Sequence, residues 1–327
     1  MARYLVTGAA GFIGARVAEL LLKQGNEVVG LDNLNDAYDV RLKDWRLGRL
    51  RKQPAFQFQT MDILDRAELQ SVWESRPFEA VFNLAARAGV RASVKDPWIY
   101  AETNVNGMLN LLELCRLQGP RKFVQASTSS LYGKVNEMPF EERADISRPL
   151  SPYTATKGAS ELLCHTYHSL YDLDVTVLRY FTVYGPAGRP DMSIFRFIQW
   201  IAEDRPVRVY GDGKQERDFT FVDDIAKGTV AAVSLKGYQI INLGGDQPYS
   251  LLDVIHRIEA LLEKEATLEF SDPAPADVPA TWANITRAGE LLGWEPQTGL
   301  DDGLSACARW YLNERDWAKD LNTSDSF

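Results

Sequence analysis

The stretch Thr7-Gly8-Ala9-Ala10-Gly11-Phe12-Ile13-Gly14 decides how this chain is read. It follows the β-branched run Tyr4-Leu5-Val6-Thr7 and opens an amphipathic stretch from Ala15 to Lys23, so it is a turn from strand to helix. Glycines at 8, 11 and 14 give G-x-x-G-x-x-G. Bare backbone at such a turn leaves the helix N-terminus open, where unpaired N–H groups and the helix dipole attract a pyrophosphate. Asp32 closes the next apolar run 18 residues after Gly14, close to the spacing of a carboxylate that holds adenosine ribose hydroxyls. A carboxylate there repels a 2′-phosphate, which favours NAD over NADP. The alternative reading is a glycine-rich turn with no ligand.

Outward from this turn, short β-branched runs alternate with longer stretches of helical spacing. Strands are expected at 4–7, 27–31, 56–59, 80–84, 122–125 and 175–178, and helices at 15–23, 65–74, 100–117 and 153–171. The alternation predicts an α/β fold on a doubly wound parallel sheet. After Arg179 the elements shorten and are broken by Gly185-Pro186, Arg189-Pro190, Gly211-Asp212-Gly213 and Asp272-Pro273-Ala274-Pro275. That is the texture of a smaller, mixed α/β domain rich in loops. Residues 219–233 read as a helix and 240–243 as a strand that rejoins the first sheet. The expected division is 1–178, rejoined by about 219–246, against 179–218 with 247–327.

The 327 residues are 45% hydrophobic and 25% charged, with 8 Trp, 13 Tyr and 14 Phe, the composition of a globular protein and not of a disordered or fibrous one. Lys and Arg number 36 against 45 Asp and Glu, a net charge of −9, which lacks the electrostatic footprint of nucleic-acid binding. Cys115, Cys164 and Cys307 lie far apart, form no C-x-x-C pair and accompany only three His, so neither a disulfide framework nor a metal site is expected. No apolar run approaches the length of a membrane span and the first strand begins near Arg3, so the chain reads as cytoplasmic and unanchored.

A second constellation is Tyr153-Thr154-Ala155-Thr156-Lys157. Positions i and i+4 of a helix share a face. A nearby cation favours phenolate, so Lys157, with the positive charge of oxidised nicotinamide, is expected to lower the Tyr153 pKa toward that of a general base. Taken alone, Y-x-x-x-K also describes an exposed helix pair. Ser127-Thr128-Ser129-Ser130 follows the fifth expected strand at its C-terminal end, the side on which such a sheet binds its ligand. A hydroxyl there can hydrogen-bond the oxygen that Tyr153 deprotonates.

With Asn83-Leu84-Ala85-Ala86, STSSLYG at 127–133 and RYFTVYGP at 179–186, these motifs resemble the extended short-chain dehydrogenase/reductase superfamily, with its Rossmann-type sheet, over residues 3 to about 312. More narrowly, Leu31-Asp32-Asn33-Leu34-Asn35-Asp36-Ala37-Tyr38-Asp39-Val40, Arg87-Ala88-Gly89-Val90-Arg91 and Gly188-Arg189-Pro190-Asp191-Met192 resemble the UDP-glucuronate 4-epimerases. Ala37-Tyr38 stands where that family most often has a Tyr pair.

The resemblance implies NAD as cofactor, a UDP-sugar as substrate and a homodimer. It assigns Thr128, Tyr153 and Lys157 as the catalytic triad. Gly8, Gly11, Phe12, Ile13, Gly14, Asp32, Asn33, Asp62, Ile63, Leu84, Ala85, Ala86, Tyr153 and Lys157 would hold the dinucleotide. For the nucleotide sugar it implies Arg217 on the diphosphate, Asp277 on the uridine ribose, and Arg91, Arg189 and Arg196 around the ligand. Ser129, Ser130 and Thr182 would join Thr128 as hydroxyl donors to the C5 carboxylate. Single arginines are equally the usual solvated surface charges, and strand-end hydroxyls commonly bond the backbone.

The implied reaction oxidises C4 transiently, lets the 4-keto sugar rotate and reduces it on its other face. A 4-keto sugar with a C5 carboxylate is a β-keto acid prone to lose CO₂, a loss that hydrogen bonds to the carboxylate would restrain. The related 4,6-dehydratases place an Asp-Glu pair after the threonine, and the decarboxylases that form UDP-xylose tend to carry a Glu there. This chain has Ser129 and Ser130. UDP-glucose/UDP-galactose or N-acetylhexosamine 4-epimerases and UDP-glucuronate decarboxylases remain as alternatives, as does an inactive NAD-sensing regulator, against which the presence of both Tyr153 and Lys157 argues.

His165, His168 and His256 read as packing or surface residues. The basic stretch 40–52 reads as a solvated helix face or, through its nearness to Asp32, a cofactor-side element. Met108, Leu111, Leu112, Leu162, Leu163 and Tyr167 face either a second subunit, in the four-helix interface the resemblance implies, or their own sheet.

Overall fold

The computed structural model describes residues 1–134, 136–272 and 278–323. Its strands, in chain order, are β1 (Arg3–Thr7), β2 (Glu27–Asp32), β3 (Phe56–Thr60), β4 (Ala80–Asn83), β5 (Lys122–Thr128), β6 (Asp174–Tyr180), β7 (Thr182–Tyr184), β8 (Val207–Tyr210), β9 (Glu216–Phe221), β10 (Tyr238–Leu243), β11 (Pro248–Ser250) and β12 (Leu268–Ser271). Seven of them form one sheet in the order β10-β6-β5-β4-β1-β2-β3, every pair parallel. Parallel strands need helices on both faces, so their residues must be buried on both sides. β4 and β5 are accordingly buried along their whole length.

One face is covered by helices Phe12–Lys23, Val40–Leu50 and Val222–Ala231, which contribute Val17, Leu21, Leu47, Leu50 and Ile225 to the core. The other carries Arg66–Ser75, Met108–Gln118 and Pro152–Tyr171, with Leu69, Val72, Leu111, Leu112 and Cys164. From β1 the chain winds outward to β2 and β3, then crosses back to β4 on the other side of β1. That reversal opens a crevice at the strands' C-terminal ends. The buried polar groups there pair with one another: the Thr7 hydroxyl donates to Asn83 Oδ1 at 2.7 Å, and Asn83 Nδ2 donates to Gln125 Oε1 at 2.8 Å.

Beyond Tyr180, β7, β9 and β11 form a three-stranded sheet and β8 pairs with β12. These pack with helices Ser193–Ala202, Leu251–Leu262 and Leu300–Asn313 around Phe195, Ile198, Ile255, Leu304 and Tyr311. β10 returns to the edge of the large sheet beside β6. Among the described residues no helix is long and apolar enough to cross a membrane.

Three expectations are corrected. The helix expected at 100–117 is broken into Pro97–Ala101, a π-helical segment Glu102–Gly107 and Met108–Gln118. The widened turn lets Asn104 bind the Arg87 backbone on both sides, accepting from its N–H at 2.8 Å and donating to its carbonyl at 3.0 Å. Residues 219–221, read as helix, belong to β9; the helix starts at Val222, where Asp223 and Asp224 suit the positive end of its dipole. Of the two readings of the basic stretch, the solvated face fails at Lys43 and Arg46, which are buried, whereas the cofactor-side one fits Lys43, which faces Asp32 at 3.4 Å. Of the apolar positions left open between two faces, Met108, Leu111, Leu112 and Tyr167 pack beneath their own sheet, whereas Leu162 is 70% exposed.

Candidate active site

The glycine turn is forced by packing. Gly8 has φ +67°, and a Cβ there would lie 2.8 Å from the Leu84 carbonyl and the Ala85 nitrogen at the end of β4. A Cβ on Gly14 would collide with the Gly8 carbonyl oxygen. The turn therefore holds β1, β4 and the first helix together as well as leaving the helix mouth bare; no side chain caps it at Gly11. At the end of β2, Asp32 is buried, accepts from Ala10 N at 3.2 Å and Leu34 N at 2.8 Å, and faces the Lys43 ammonium at 3.4 Å. Asn33 donates to Asp62 at 2.7 Å.

Helix Pro152–Tyr171 begins where Ser151 accepts from Thr154 N at 3.2 Å and Pro152 supplies a preset φ. It brings Tyr153, Lys157 and Glu161 onto one face above the end of β5. Lys157 Nζ donates to the Ala126 carbonyl at 3.0 Å, and burial pulls its pKa down to about 8. Thr128 accepts from Ser130 N and donates to the Ser130 hydroxyl, each at 3.2 Å, at the start of the 3₁₀ turn Ser129–Tyr132. Ser127 donates to Glu161 Oε1 at 2.5 Å, and Glu161 is forked by Arg179 at 3.0 and 2.7 Å, all of it buried. This pair pins the helix to β5 and β6.

Burial pushes the Tyr153 phenol up, while the Thr128 hydrogen bond and the Arg189 charge draw it down; the net direction is upward. Of the expected lowering by Lys157 together with the nicotinamide charge, the part given to Lys157 is therefore corrected. Its ammonium is turned to the Ala126 carbonyl, and the groups that act on the phenol are Thr128 and Arg189.

These groups line one open cleft. Every residue assigned above to the dinucleotide lies in its wall, as do Thr128, Ser129, Ser130, Thr182 and Arg189. Arg189 is clasped by Asp191 at 3.0 and 2.5 Å. Three assigned arginines are not in the wall of this cleft. Arg91 lies over the Tyr210 ring at 4.2 Å, Arg196 beside Trp200 at 5.6 Å, and Arg217 on β9 donates to the Glu216 carbonyl at 2.7 Å. Asp277 lies outside the described residues. The cleft also takes in Tyr38, Asp191 and Met192, which carry no assigned role above, and Lys43, from the stretch whose nearness to Asp32 leaves a cofactor-side role open. For Lys43 and Tyr38 the available signal was their place in the segments after Asp32.

Residues 4–244 match the model of the NAD dependent epimerase/dehydratase family. A UDP-glucuronate 4-epimerase of Thermodesulfobacterium geofontis is 54% identical over 311 residues, covering 95% of this chain and 96% of that one. Among solved structures, UDP-glucuronic acid 4-epimerase from Bacillus cereus, in complex with UDP-glucuronic acid and NAD, has a TM-score of 0.89 at 39% identity over 95% of this chain and 99% of its own. UDP-glucose 4-epimerase from Thermotoga maritima, with UDP-glucose, has a TM-score of 0.89 at 30% identity over 96% and 99%. A family match across most of the chain, on a parallel sheet whose glycine turn and Tyr-Lys helix share one cleft, makes this protein a member of the NAD dependent epimerase/dehydratase family.

Proposed function

We propose that the protein interconverts UDP-glucuronate and UDP-galacturonate with bound NAD. The observation that carries this reading is the convergence of Tyr153, Thr128 and the Ser129-Ser130 pair on the wall that also holds the glycine turn and Asp32. The donor set suits the dinucleotide: bare helix N–H groups at Phe12 and Ile13 for the pyrophosphate, and the Asp32 carboxylate for the adenosine ribose. When bound, NAD takes the C4 hydride and gives it back, and its positive ring favours the phenolate.

Tyr153 takes the proton of the sugar 4-hydroxyl in the oxidation and returns it in the reduction. Thr128 holds the same oxygen and, with its hydroxyl proton turned from Ser130 to the phenol oxygen, favours the phenolate. Lys157, with a pKa near 8, keeps most of its charge at neutral pH, fixed by the Ala126 carbonyl. Ser129, Ser130 and Thr182 hold the C5 carboxylate away from the orientation in which CO₂ leaves, because hydrogen bonds to an ionised group are the stronger kind. Arg189 places a positive charge at the sugar end.

The test is to incubate the protein as purified, without added cofactor, with UDP-glucuronate and follow the sugars by NMR. UDP-galacturonate with little CO₂ is expected. Dominant UDP-xylose would assign the protein to the decarboxylases, and turnover of UDP-glucose alone would assign it to the galactose epimerases. Replacing both Ser129 and Ser130 by Ala should raise the share of turnovers that release CO₂ by about 10-fold or more, the effect of losing one to two charge-assisted hydrogen bonds. An unchanged share would remove the serines from that role.

A homodimer belongs to the same proposal. Trp98, Leu117, Leu162 and Leu170 are exposed on the neighbouring helices Pro97–Ala101, Met108–Gln118 and Pro152–Tyr171, an apolar patch that a second copy would cover. Sedimentation at micromolar concentration should give twice the chain mass, and Leu162→Asp should halve it.

A further inference from the structure

Arg46 belongs to the basic stretch that reads as solvated, yet its side chain is buried at 4% exposure. Its Nε and Nη2 donate to the Ala187 carbonyl at 3.1 and 2.6 Å, and Nη2 also reaches the Gly188 carbonyl at 3.4 Å. Its Nη1 donates to the Ala10 carbonyl at 3.1 Å and to the Tyr38 hydroxyl at 2.8 Å. One guanidinium thus spans the two halves of the cleft. Ala10 is in the glycine turn and its own N–H holds Asp32 at 3.2 Å. Ala187 and Gly188 lead into the segment whose Arg189 and Asp191 line the sugar end, and Arg189 acts on the Tyr153 phenol.

The conformation of that segment is not one its sequence favours. Ala187 has φ +53°, the left-handed region that a residue with a Cβ seldom adopts. Such a residue persists only where its surroundings hold it. Here the holding group is visible, since the Ala187 carbonyl takes two of the guanidinium's hydrogen bonds. A planar fork with several fixed donors can grip Ala187 and Ala10 together, whereas a lysine ammonium, a point charge on a flexible stem, would reach only one side.

We propose that Arg46 is a positioning residue that couples the dinucleotide turn to the nucleotide-sugar segment, so that filling either half of the cleft favours the bound conformation of the other. The inference rests on reading the cleft as a joint NAD and UDP-sugar site. A shift of the glycine turn moves the Ala10 carbonyl and, through the guanidinium, the Ala187 carbonyl and Arg189. Coupling between two binding equilibria is reciprocal, so UDP must tighten NAD by the factor by which NAD tightens UDP.

The experiment measures UDP affinity calorimetrically on protein saturated with NAD and on protein depleted of it, for wild type and Arg46→Met. In wild type NAD should tighten UDP by about 10-fold, within the range usual for coupled sites; in Arg46→Met the factor should fall below about 2. Ala187→Gly placed in the Arg46→Met background should recover part of the lost UDP affinity, because glycine adopts φ +53° freely, without restoring the coupling. Loss of packing alone would not be rescued by that glycine. Should Arg46→Met fail to fold, Arg46→Lys, which keeps charge and bulk, should show the same loss of coupling. Wild-type coupling retained in either variant, or no effect of NAD on UDP in wild type, overturns the proposal. Wild-type protein that binds both nucleotides cooperatively but leaves UDP-glucuronate unchanged would overturn the substrate reading and support the coupling.

Discussion

Tyr153→Phe is expected to lower kcat by about 10³-fold, the usual worth of a positioned general acid–base group, while NAD and UDP-glucuronate still bind. The phenylalanine keeps the ring and its edge contact with Tyr100, 6.1 Å between centroids, so the cleft retains its wall. Only the proton carrier is lost. The same phenol sets the pH dependence. Burial raises its pKa and the Thr128 hydroxyl and Arg189 charge lower it. Oxidation needs the phenolate, so kcat/KM should rise with pH across the acid limb. In Thr128→Val the donor that favours phenolate is gone, the phenol pKa moves up, and that limb should shift to higher pH. Steady-state rates between pH 6 and 9 check both statements; a limb unmoved by Thr128→Val would take Thr128 out of the proton step.

Glu161→Gln is expected to destabilise the fold by about 3–5 kcal/mol, because it leaves the Arg179 guanidinium buried without its countercharge. Both side chains are nearly inaccessible and the pair is two-pronged, at 3.0 and 2.7 Å. The guanidinium also donates to the Tyr132 hydroxyl at 3.1 Å and the Glu142 carbonyl at 2.9 Å. The damage should therefore reach the segments carrying Thr128 and Tyr153. Urea unfolding measures it. An apolar replacement of both partners, Glu161→Leu with Arg179→Met, should cost less than the sum of the single changes, since no bare charge remains. A single-variant loss below about 1 kcal/mol would mean that the pair does not brace the helix.

The parts of the site legible in the sequence are those whose chemistry is local. The glycine turn, Asp32 and the Tyr153–Lys157 spacing each depend on residues within one strand-turn-helix unit, and these meet in the cleft. What was hidden depends on partners far away in the chain. Nearness to Asp32 leaves a cofactor-side role open for the stretch that carries Lys43 and Arg46, but nothing near them in sequence shows which of its charges turn inward, or that the Ala187 carbonyl lies beneath Arg46. The break at Glu102–Gly107 was equally invisible, since it is made for a loop partner, Arg87. Helix spacing and the nicotinamide charge give the pull on the Tyr153 phenol to Lys157 and the cofactor. In the fold the lowering influences among the protein's own groups are Thr128 at the end of β5 and Arg189 in the segment after β7. Arg91, Arg196 and Arg217 sit outside the wall of the cleft for the same kind of reason: one residue type at one position does not fix where a long side chain ends.

The most direct measurement of the central claim uses UDP-glucuronate carrying deuterium at C4 in ordinary water. Transient oxidation at C4 and return of the same hydrogen predict UDP-galacturonate with the deuterium still at C4 and no transfer to unlabelled sugar mixed into the reaction. Deuterium lost to solvent would contradict the account, because it would mean that the hydrogen leaves C4 as a proton and that Tyr153 and the dinucleotide turn serve some other chemistry.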